Sequence, residues 1–280
     1  MTAMPTLPES GWTLAQALSR SGLPGLEARM LAGHALGLSR VQLITQSDRV
    51  LDETESVRLG DLFSRRLAGE PIAYLVGERE FYGLHFATTP AVLIPRPETE
   101  LLVELALARM PAQGSVLDMG TGSGAIAVAL AHALPGLRVT ALDASEEALA
   151  VARDNARRHA PQVEMLHSDW YAALAGRRFD LIVSNPPYIR AGDPHLSQGD
   201  LRFEPAGALT DHADGLSALR TIVAGAPSHL ERGGWLLMEH GYDQAGEVRS
   251  LLTAQGFTEV QSWQDLAGIE RVSGGRLAFD

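Results

Sequence analysis

Two spacings of apolar residues divide this chain. From residue 12 to about residue 70 they recur three and four apart: Leu14, Ala17 and Leu18, then Leu26, Met30 and Leu31, with Gly22 and Pro24 as punctuation. That spacing predicts short amphipathic helices. A third short helix is expected to begin at Ser39. Asp52 and Glu55 stand at capping-box spacing, and Leu59, Leu62, Phe63 and Leu67 continue as a stripe that stops at Gly69-Glu70-Pro71, so a helix with both ends marked is expected there. Between Ile72 and Ile94 the pattern changes. Short strand-like runs, Ala73-Tyr74-Leu75-Val76 and Leu84-His85-Phe86-Ala87, surround Gly77 and Tyr82-Gly83 and predict a β-hairpin linker. Pro97 and the acids of Pro95-Arg96-Pro97-Glu98-Thr99-Glu100 then open a helix with Leu101, Leu102, Leu105 and Ala106 as apolar positions.

Beyond this point strand and helix patterns alternate. Strands are expected over 115–119, 139–143, 163–166, 179–184 and 235–239, and helices over 125–134, 146–158, 216–230 and 243–255. This alternation implies an α/β fold, a doubly wound parallel sheet. Two further strands, 259–263 and 271–279, are separated by a loop too short for another helix, so they are expected to pair antiparallel at one edge. The chain therefore reads as a helical domain over 1–71, a hairpin linker over 72–95 and a main domain over 96–280.

Composition narrows the picture. The 280 residues are 45% hydrophobic and 20% charged, as in an ordinary globular protein, and a formal net charge of −11 argues against general nucleic-acid binding. The absence of cysteine excludes disulfides, thiolate zinc sites and cysteine nucleophiles. No metal site is expected. No basic residue precedes Arg20, and no apolar run reaches membrane-spanning length, so neither a signal peptide nor a membrane contact is expected and the address is expected to be cytoplasmic.

The chemistry lies at the carboxyl ends of the expected strands. Gly120-Thr121-Gly122-Ser123-Gly124 follows one strand and opens a helix, which lets backbone N–H groups approach a ligand closely. With Ala125 it also fits a dinucleotide fingerprint, and it lacks the Lys-Ser/Thr of a phosphate-binding loop. Asp143 ends the next strand, where an acid can accept from both ribose hydroxyls or cap the helix after it. Asp169-Trp170 follows the third; the acid can accept from an adenine amino group and the indole can lie on the ring, although Ser168-Asp169 is also a capping pair. After the fourth comes Ser184-Asn185-Pro186-Pro187-Tyr188. The prolines make a stiff turn, and the Asn185 side chain with the Pro186 carbonyl offers acceptors that can grip an NH₂ group, while Tyr188 adds an aromatic face. Such a turn suits methylation of a planar amino nitrogen. His240, after a sheet strand, is read as structural.

Together these segments resemble a class I S-adenosylmethionine-dependent methyltransferase, and more narrowly the HemK/PrmC family of protein-(glutamine-N5) methyltransferases. The resemblance extends through Gly69 to Gly77, Glu80-Phe81-Tyr82-Gly83-Leu84, the Pro95–Glu100 segment, Phe203-Glu204-Pro205 with Ala208-Leu209, and Glu239-His240-Gly241. It implies a Rossmann-like, mostly parallel sheet with an antiparallel C-terminal edge, preceded by a helical substrate-recognition domain. It implies S-adenosyl-L-methionine as cofactor and S-adenosyl-L-homocysteine as product, held by Gly120, Thr121, Gly122, Ser123, Gly124, Asp143, Asp169, Trp170 and Asn185. Asn185, Pro186, Pro187 and Tyr188 become the catalytic and substrate-binding turn. The implied substrate is the glutamine of the Gly-Gly-Gln loop of peptide chain release factors, which makes the enzyme a modulator of translation termination. A ribosomal-protein glutamine and the N6 of adenine are the alternatives that share the same turn.

Overall fold

The computed structural model describes residues 7–278. They form two compact units, one ending at Gly77 and the other beginning at Glu78.

The first unit contains α1 (Leu14–Arg20), α2 (Gly25–Leu36), α3 (Arg40–Thr45), α4 (Glu53–Leu67) and α5 (Ile72–Val76). Reciprocal capping boxes start three of them, at Thr13/Gln16, Ser39/Gln42 and Asp52/Glu55. In the last of these Glu55 N donates to Asp52 Oδ1 at 2.8 Å, satisfying one of the N–H groups a helix start leaves open. The core gathers Leu14, Leu31, Leu59 and Phe63. Two expectations need correction here. Leu26, Met30 and Leu67 are exposed, and the buried face of α2 runs through Ala28, Leu31, Ala32 and Ala35, because alanines let neighbouring helices approach and carry little weight in a hydrophobic stripe. Residues 73–76 are helical, not strand: Pro71 sets the entry, Gly77 ends the turn at φ +78°, and Leu75 enters the helical core.

The second unit opens with the hairpin β1 (Glu78–Phe81) and β2 (Leu84–Ala87), paired antiparallel through Tyr82-Gly83. After a 3₁₀ turn, Pro97–Thr99, come α6 (Glu100–Leu107), β3 (Ser115–Met119), α7 (Ala125–Ala133), β4 (Arg138–Asp143), α8 (Glu146–His159), β5 (Glu164–His167) and β6 (Phe179–Ser184). The short α9 (Ala206–Leu209), α10 (Ser217–His229), β7 (Leu230–Glu239), α11 (Ala245–Ala254), β8 (Phe257–Gln264) and β9 (Glu270–Leu277) complete it. Of the last expected strand, Phe279 lies outside the described residues.

The large sheet runs β5-β4-β3-β6-β7-β9-β8, parallel from β5 to β7, with β9 antiparallel to both of its neighbours. Its central strands β3, β4 and β6 are buried on both faces, and the period of two sorts their side chains into separate cores. Val116, Leu181 and Val183 pack with α6 and α7 on one side, while Leu117, Met119 and Ile182 pack with α10 and α11 on the other. Chain order reverses direction across the sheet between β3 and β6. Ligand sites form at such a switch point, outside the carboxyl ends of the strands.

Candidate active site

Three glycines shape the loop after β3, and they do different work. At Gly120 (φ +70°) and Gly122 (φ +56°) no protein atom lies within 4 Å of where a Cβ would stand, so the loop presents bare backbone to open space. At Gly124 (φ +82°) a Cβ would come 3.3 Å from the Ala152 backbone, so this glycine serves the packing of α7 on α8. Beneath the loop lies the fully buried Asp118. Its Oδ2 accepts from Thr121 Oγ1 at 2.6 Å and from Ala127 N at 3.2 Å, whereas Oδ1 has no protein partner among the described residues. Burial pushes its carboxyl up to about 7, against the opposing pull of those two donors. Asn155, also fully buried, ties the loop to the hairpin: its Nδ2 donates to Ser123 O (2.8 Å) and Ala87 O (3.1 Å), and its Oδ1 accepts from Ala87 N (2.7 Å).

Asp143 ends β4 half-buried. Oδ2 accepts from Gly122 N and Oδ1 from Ser145 N, both at 2.9 Å. The cap of α8 is Ser145, whose Oγ accepts from Ala148 N at 3.1 Å, so Asp143 is not used as a helix cap. Each of its oxygens keeps a lone pair. After β5, Ser168 Oγ accepts from Ala173 N (3.0 Å) and donates to Trp170 O (2.8 Å), leaving the exposed Asp169 carboxylate open to a donor. Trp170 sits at φ +46°, a left-handed conformation that costs a bulky residue strain and that the Ser168 bond helps to hold.

These groups surround a cavity of about 500 Å³, to which Gly120, Thr121, Gly122, Ser123, Asp143, Asp169, Trp170, Asn185 and Pro187 all contribute. Among the residues singled out for the cofactor, Gly124 alone stands behind the wall. The volume lies within the range of about 300–1,000 Å³ that small-molecule sites occupy. Bare loop backbone, two carboxylates with free acceptor capacity and a half-buried indole fit an adenosine-bearing ligand.

The turn after β6 forms the far wall. Ser184 Oγ donates to Met119 O at 2.7 Å, fixing the end of β6 against β3. Asn185 Nδ2 donates to Thr99 Oγ1 at 3.2 Å. Pro186 is buried, and Tyr188 opens onto a second cavity of about 680 Å³, shared with Arg96, Glu98, Arg271 and Glu239. Tyr188 Oη donates to Glu239 Oε1 at 3.2 Å, and burial first, then the Glu239 charge, raises the phenol's pKa. Burial pushes the Glu239 carboxyl up to about 7, while the neighbouring Thr99 and Tyr188 hydroxyls pull it down; its Oε2 has no hydrogen-bond partner among the described residues.

Two residues that hold this turn, Gln244 and Gly215, carried no local signal. Gln244 Nε2 donates to Tyr188 O (3.0 Å) and Gly215 O (3.1 Å), and its Oε1 accepts from Gly241 N (2.8 Å). Gly215 has φ +83°, and a Cβ there would lie 2.5 Å from Tyr188 O. Glu204 accepts from Ile94 N at 3.0 Å and pairs with Arg96, which fastens the Pro-Arg-Pro segment to the loop before α9. His240 is buried and bonded on both ring nitrogens, to Gly241 O (2.8 Å) and Ser273 Oγ (2.7 Å); burial lowers its pKa and keeps it neutral. Among the described residues no cluster of His, Asp and Glu is arranged to hold a metal. No described helix is long and apolar enough to cross a membrane.

Two family models match the chain: the PrmC N-terminal domain over residues 13–77 and the Methyltransferase small domain over residues 97–200. The release factor glutamine methyltransferase of Burkholderia pseudomallei is 58% identical over 98% of this chain and 99% of its own length. That of Bordetella pertussis is 56% identical over 93% of this chain and 97% of its own. Among solved structures, a methyltransferase from Pyrococcus furiosus superposes with a TM-score of 0.55 at 20% identity, over 77% of this chain and 97% of its own; it shares the fold.

Proposed function

The chain belongs to the release factor glutamine methyltransferase family, an S-adenosylmethionine-dependent group of enzymes, and from that premise we propose roles for its residues. The reaction moves a methyl group from S-adenosyl-L-methionine to the side-chain amide nitrogen of a release-factor glutamine. The cofactor supplies a sulfonium methyl that is already activated. Asp143 accepts from the ribose hydroxyls, Asp169 and Trp170 hold the adenine, and the loop from Gly120 to Gly124 presents its backbone to the rest of the ligand.

A glutamine amide is a poor nucleophile, because its nitrogen lone pair is delocalised into the carbonyl. Asn185 Oδ1 and the Pro186 carbonyl accept the two N–H bonds and favour a nitrogen that pyramidalises toward the methyl. Holding the reactants in line contributes up to roughly 7–11 kcal/mol in favourable cases. No strong base is needed in advance: the nitrogen becomes acidic as it gains the methyl and releases one proton to water, while the sulfonium would leave as the neutral thioether, S-adenosyl-L-homocysteine. The observation that carries this reading is that Asn185 and Pro187 share one cavity wall system with the glycine loop and Asp143. By the same reading the helical unit docks the release factor in the cytoplasm, the Gly-Gly-Gln loop supplies the glutamine, and nucleic acid is not contacted directly, in keeping with the net charge of −11.

Mass spectrometry of release factor incubated with the enzyme and S-adenosylmethionine tests the reading. The expected product carries one added methyl on one glutamine. Label found on a ribosomal protein or on adenine, with release factor unmodified, would overturn it.

A further inference from the structure

Among the described residues of the second unit, the large apolar side chains that stand exposed are Tyr242, at 69%, and Leu266, at 110%. Scattered singly, such residues need no explanation. These two share one edge of the sheet. β7 runs parallel to β6, so Tyr242, just past the end of β7, stands on the side where Asn185 follows β6. β9 runs antiparallel to β7, and β8 antiparallel to β9, which brings the loop 265–269, with Leu266, to that same side.

Neither side chain is carried on slack backbone. Tyr242 lies in a turn that Gln244 closes: Gln244 N donates to Gly241 O at 3.1 Å and its Oε1 accepts from Gly241 N at 2.8 Å, while its Nε2 donates to Tyr188 O at 3.0 Å. Leu266 lies in a loop gathered around Asp265, whose Oδ1 accepts from Ala267 N (2.9 Å) and Ile269 N (3.0 Å) and whose Oδ2 accepts from Arg271 Nε (3.2 Å). Tyr188 and Arg271 both line the second cavity, so each loop is fastened to its wall. An apolar side chain held out by braced backbone has little freedom left to lose on binding, which suits it as an anchor for a partner.

The substrate decides what covers this edge. A glutamine that enters beside Asn185 belongs to a protein, and the surface around that glutamine has to pass over the loops around the turn. The order β6-β7-β9-β8 puts the Leu266 loop three strands from Asn185, about 14 Å at ~4.8 Å per strand. One side of a standard interface, roughly 800 Å², is a disc of roughly 16 Å radius, which reaches both residues when centred on the turn.

We propose that Tyr242 and Leu266 form a docking rim on the catalytic unit that holds the release factor around the glutamine it presents. The inference rests on release factor being the substrate.

The test compares Tyr242→Ser, Leu266→Ser, the double variant and Tyr242→Phe in the intact enzyme, with release factor varied at saturating S-adenosylmethionine. A docking contact is made equally before and during the reaction, so its loss removes uniform binding: the double variant is expected to raise KM for release factor about 10- to 100-fold with kcat within about twofold of wild type. Tyr242→Phe keeps the ring and is expected to stay within about threefold. Cofactor Kd by calorimetry and melting temperature should not move, because both side chains are exposed. A double variant with KM within about twofold of wild type, or with kcat lowered at unchanged KM, would overturn the inference. So would light scattering that shows a wild-type dimer dissolved by the double substitution at unchanged KM, since the edge would then be covered by a second copy of the chain. A wild type that leaves release factor unmodified would instead overturn the functional reading, and the inference with it.

Discussion

Asp143→Ala separates a ligand-binding carboxylate from a loop support. In the structure both oxygens already accept backbone N–H groups, from Gly122 and Ser145, so the substitution removes internal bonds as well as any bond to ribose. The internal losses are moderated by exposure: Asp143 is half-buried at the cavity rim, and water can reach the two freed N–H groups. The ligand loses a charged acceptor, an interaction worth roughly 1.5–3 kcal/mol, which corresponds to about 10- to 150-fold in Kd. Calorimetry with S-adenosylmethionine reads that loss, but weakening alone does not distinguish a damaged loop from a missing contact. The cofactor analogue lacking a ribose hydroxyl makes the distinction. Wild type should bind it more weakly than the normal cofactor, and Asp143→Ala should bind the two nearly alike. If the variant still discriminated between them as strongly as wild type, the carboxylate would be a scaffold and the ribose assignment wrong.

Four further outcomes are expected. Asn185→Ala should reduce kcat/KM by about 10²–10³ with little change in melting temperature, measured by methyl transfer to release factor; near-normal turnover would refute its role. Gly215→Ala forces a Cβ to 2.5 Å from Tyr188 O at a positive φ, and should destabilise by about 1–3 kcal/mol in urea melts and depress kcat together, whereas unchanged stability would show that the turn yields freely. Removing the helical unit through Gly77 should leave cofactor affinity nearly intact and strongly reduce methylation of whole release factor; full activity in the folded fragment would remove docking from that unit. Asp118 has a folded pKa of about 7 against an ordinary 3.8, so it adds stability that is complete below about 4 and is lost as pH rises toward 7, by up to about 1.4 kcal/mol per unit. Asp118→Asn should flatten the stability–pH profile in that window, and identical slopes in urea titrations would contradict the assignment.

The main domain was legible because its strands and helices differ in period. A five-strand parallel core reads as short apolar runs, and the helices between them repeat at three and four, so the alternation of strand and helix could be read, though not the order of the strands. The segment 73–76 was not legible. Four apolar residues with a tyrosine and a valine are too short to show either period, and the decision was made by the flanks, Pro71 at the entry and Gly77 at the exit. The cavity wall was legible wherever a residue stood next to a strand end, as Asp143, Asp169 and Asn185 do. Its supports were not, because Asn155 reaches 68 residues back to Ala87 and Glu204 reaches 110 back to Ile94. A buried Asn or Glu has the same local surroundings in sequence whether it faces water or bridges two distant loops. Gly215 is similar: its neighbours announce a turn, and nothing nearby announces the Tyr188 carbonyl it must clear.

The placement of β9 has a consequence for how the chain is made. On a ribosome, β8 emerges before β9, yet among the described residues its sheet neighbour is β9 alone, which must insert between β8 and β7. During that interval the free edge of β7 and the new strand β8 stand as two unpaired partners, an opportunity for the wrong register that lasts until residues 270–277 appear. The same late strand carries Ser273, which holds His240, and Arg271, whose carbonyl accepts from His240 N at 2.9 Å. The back of the turn after β6 is therefore completed by a strand that emerges after β8, and a nascent chain stalled short of it would have its glycine loop formed and that turn unsupported.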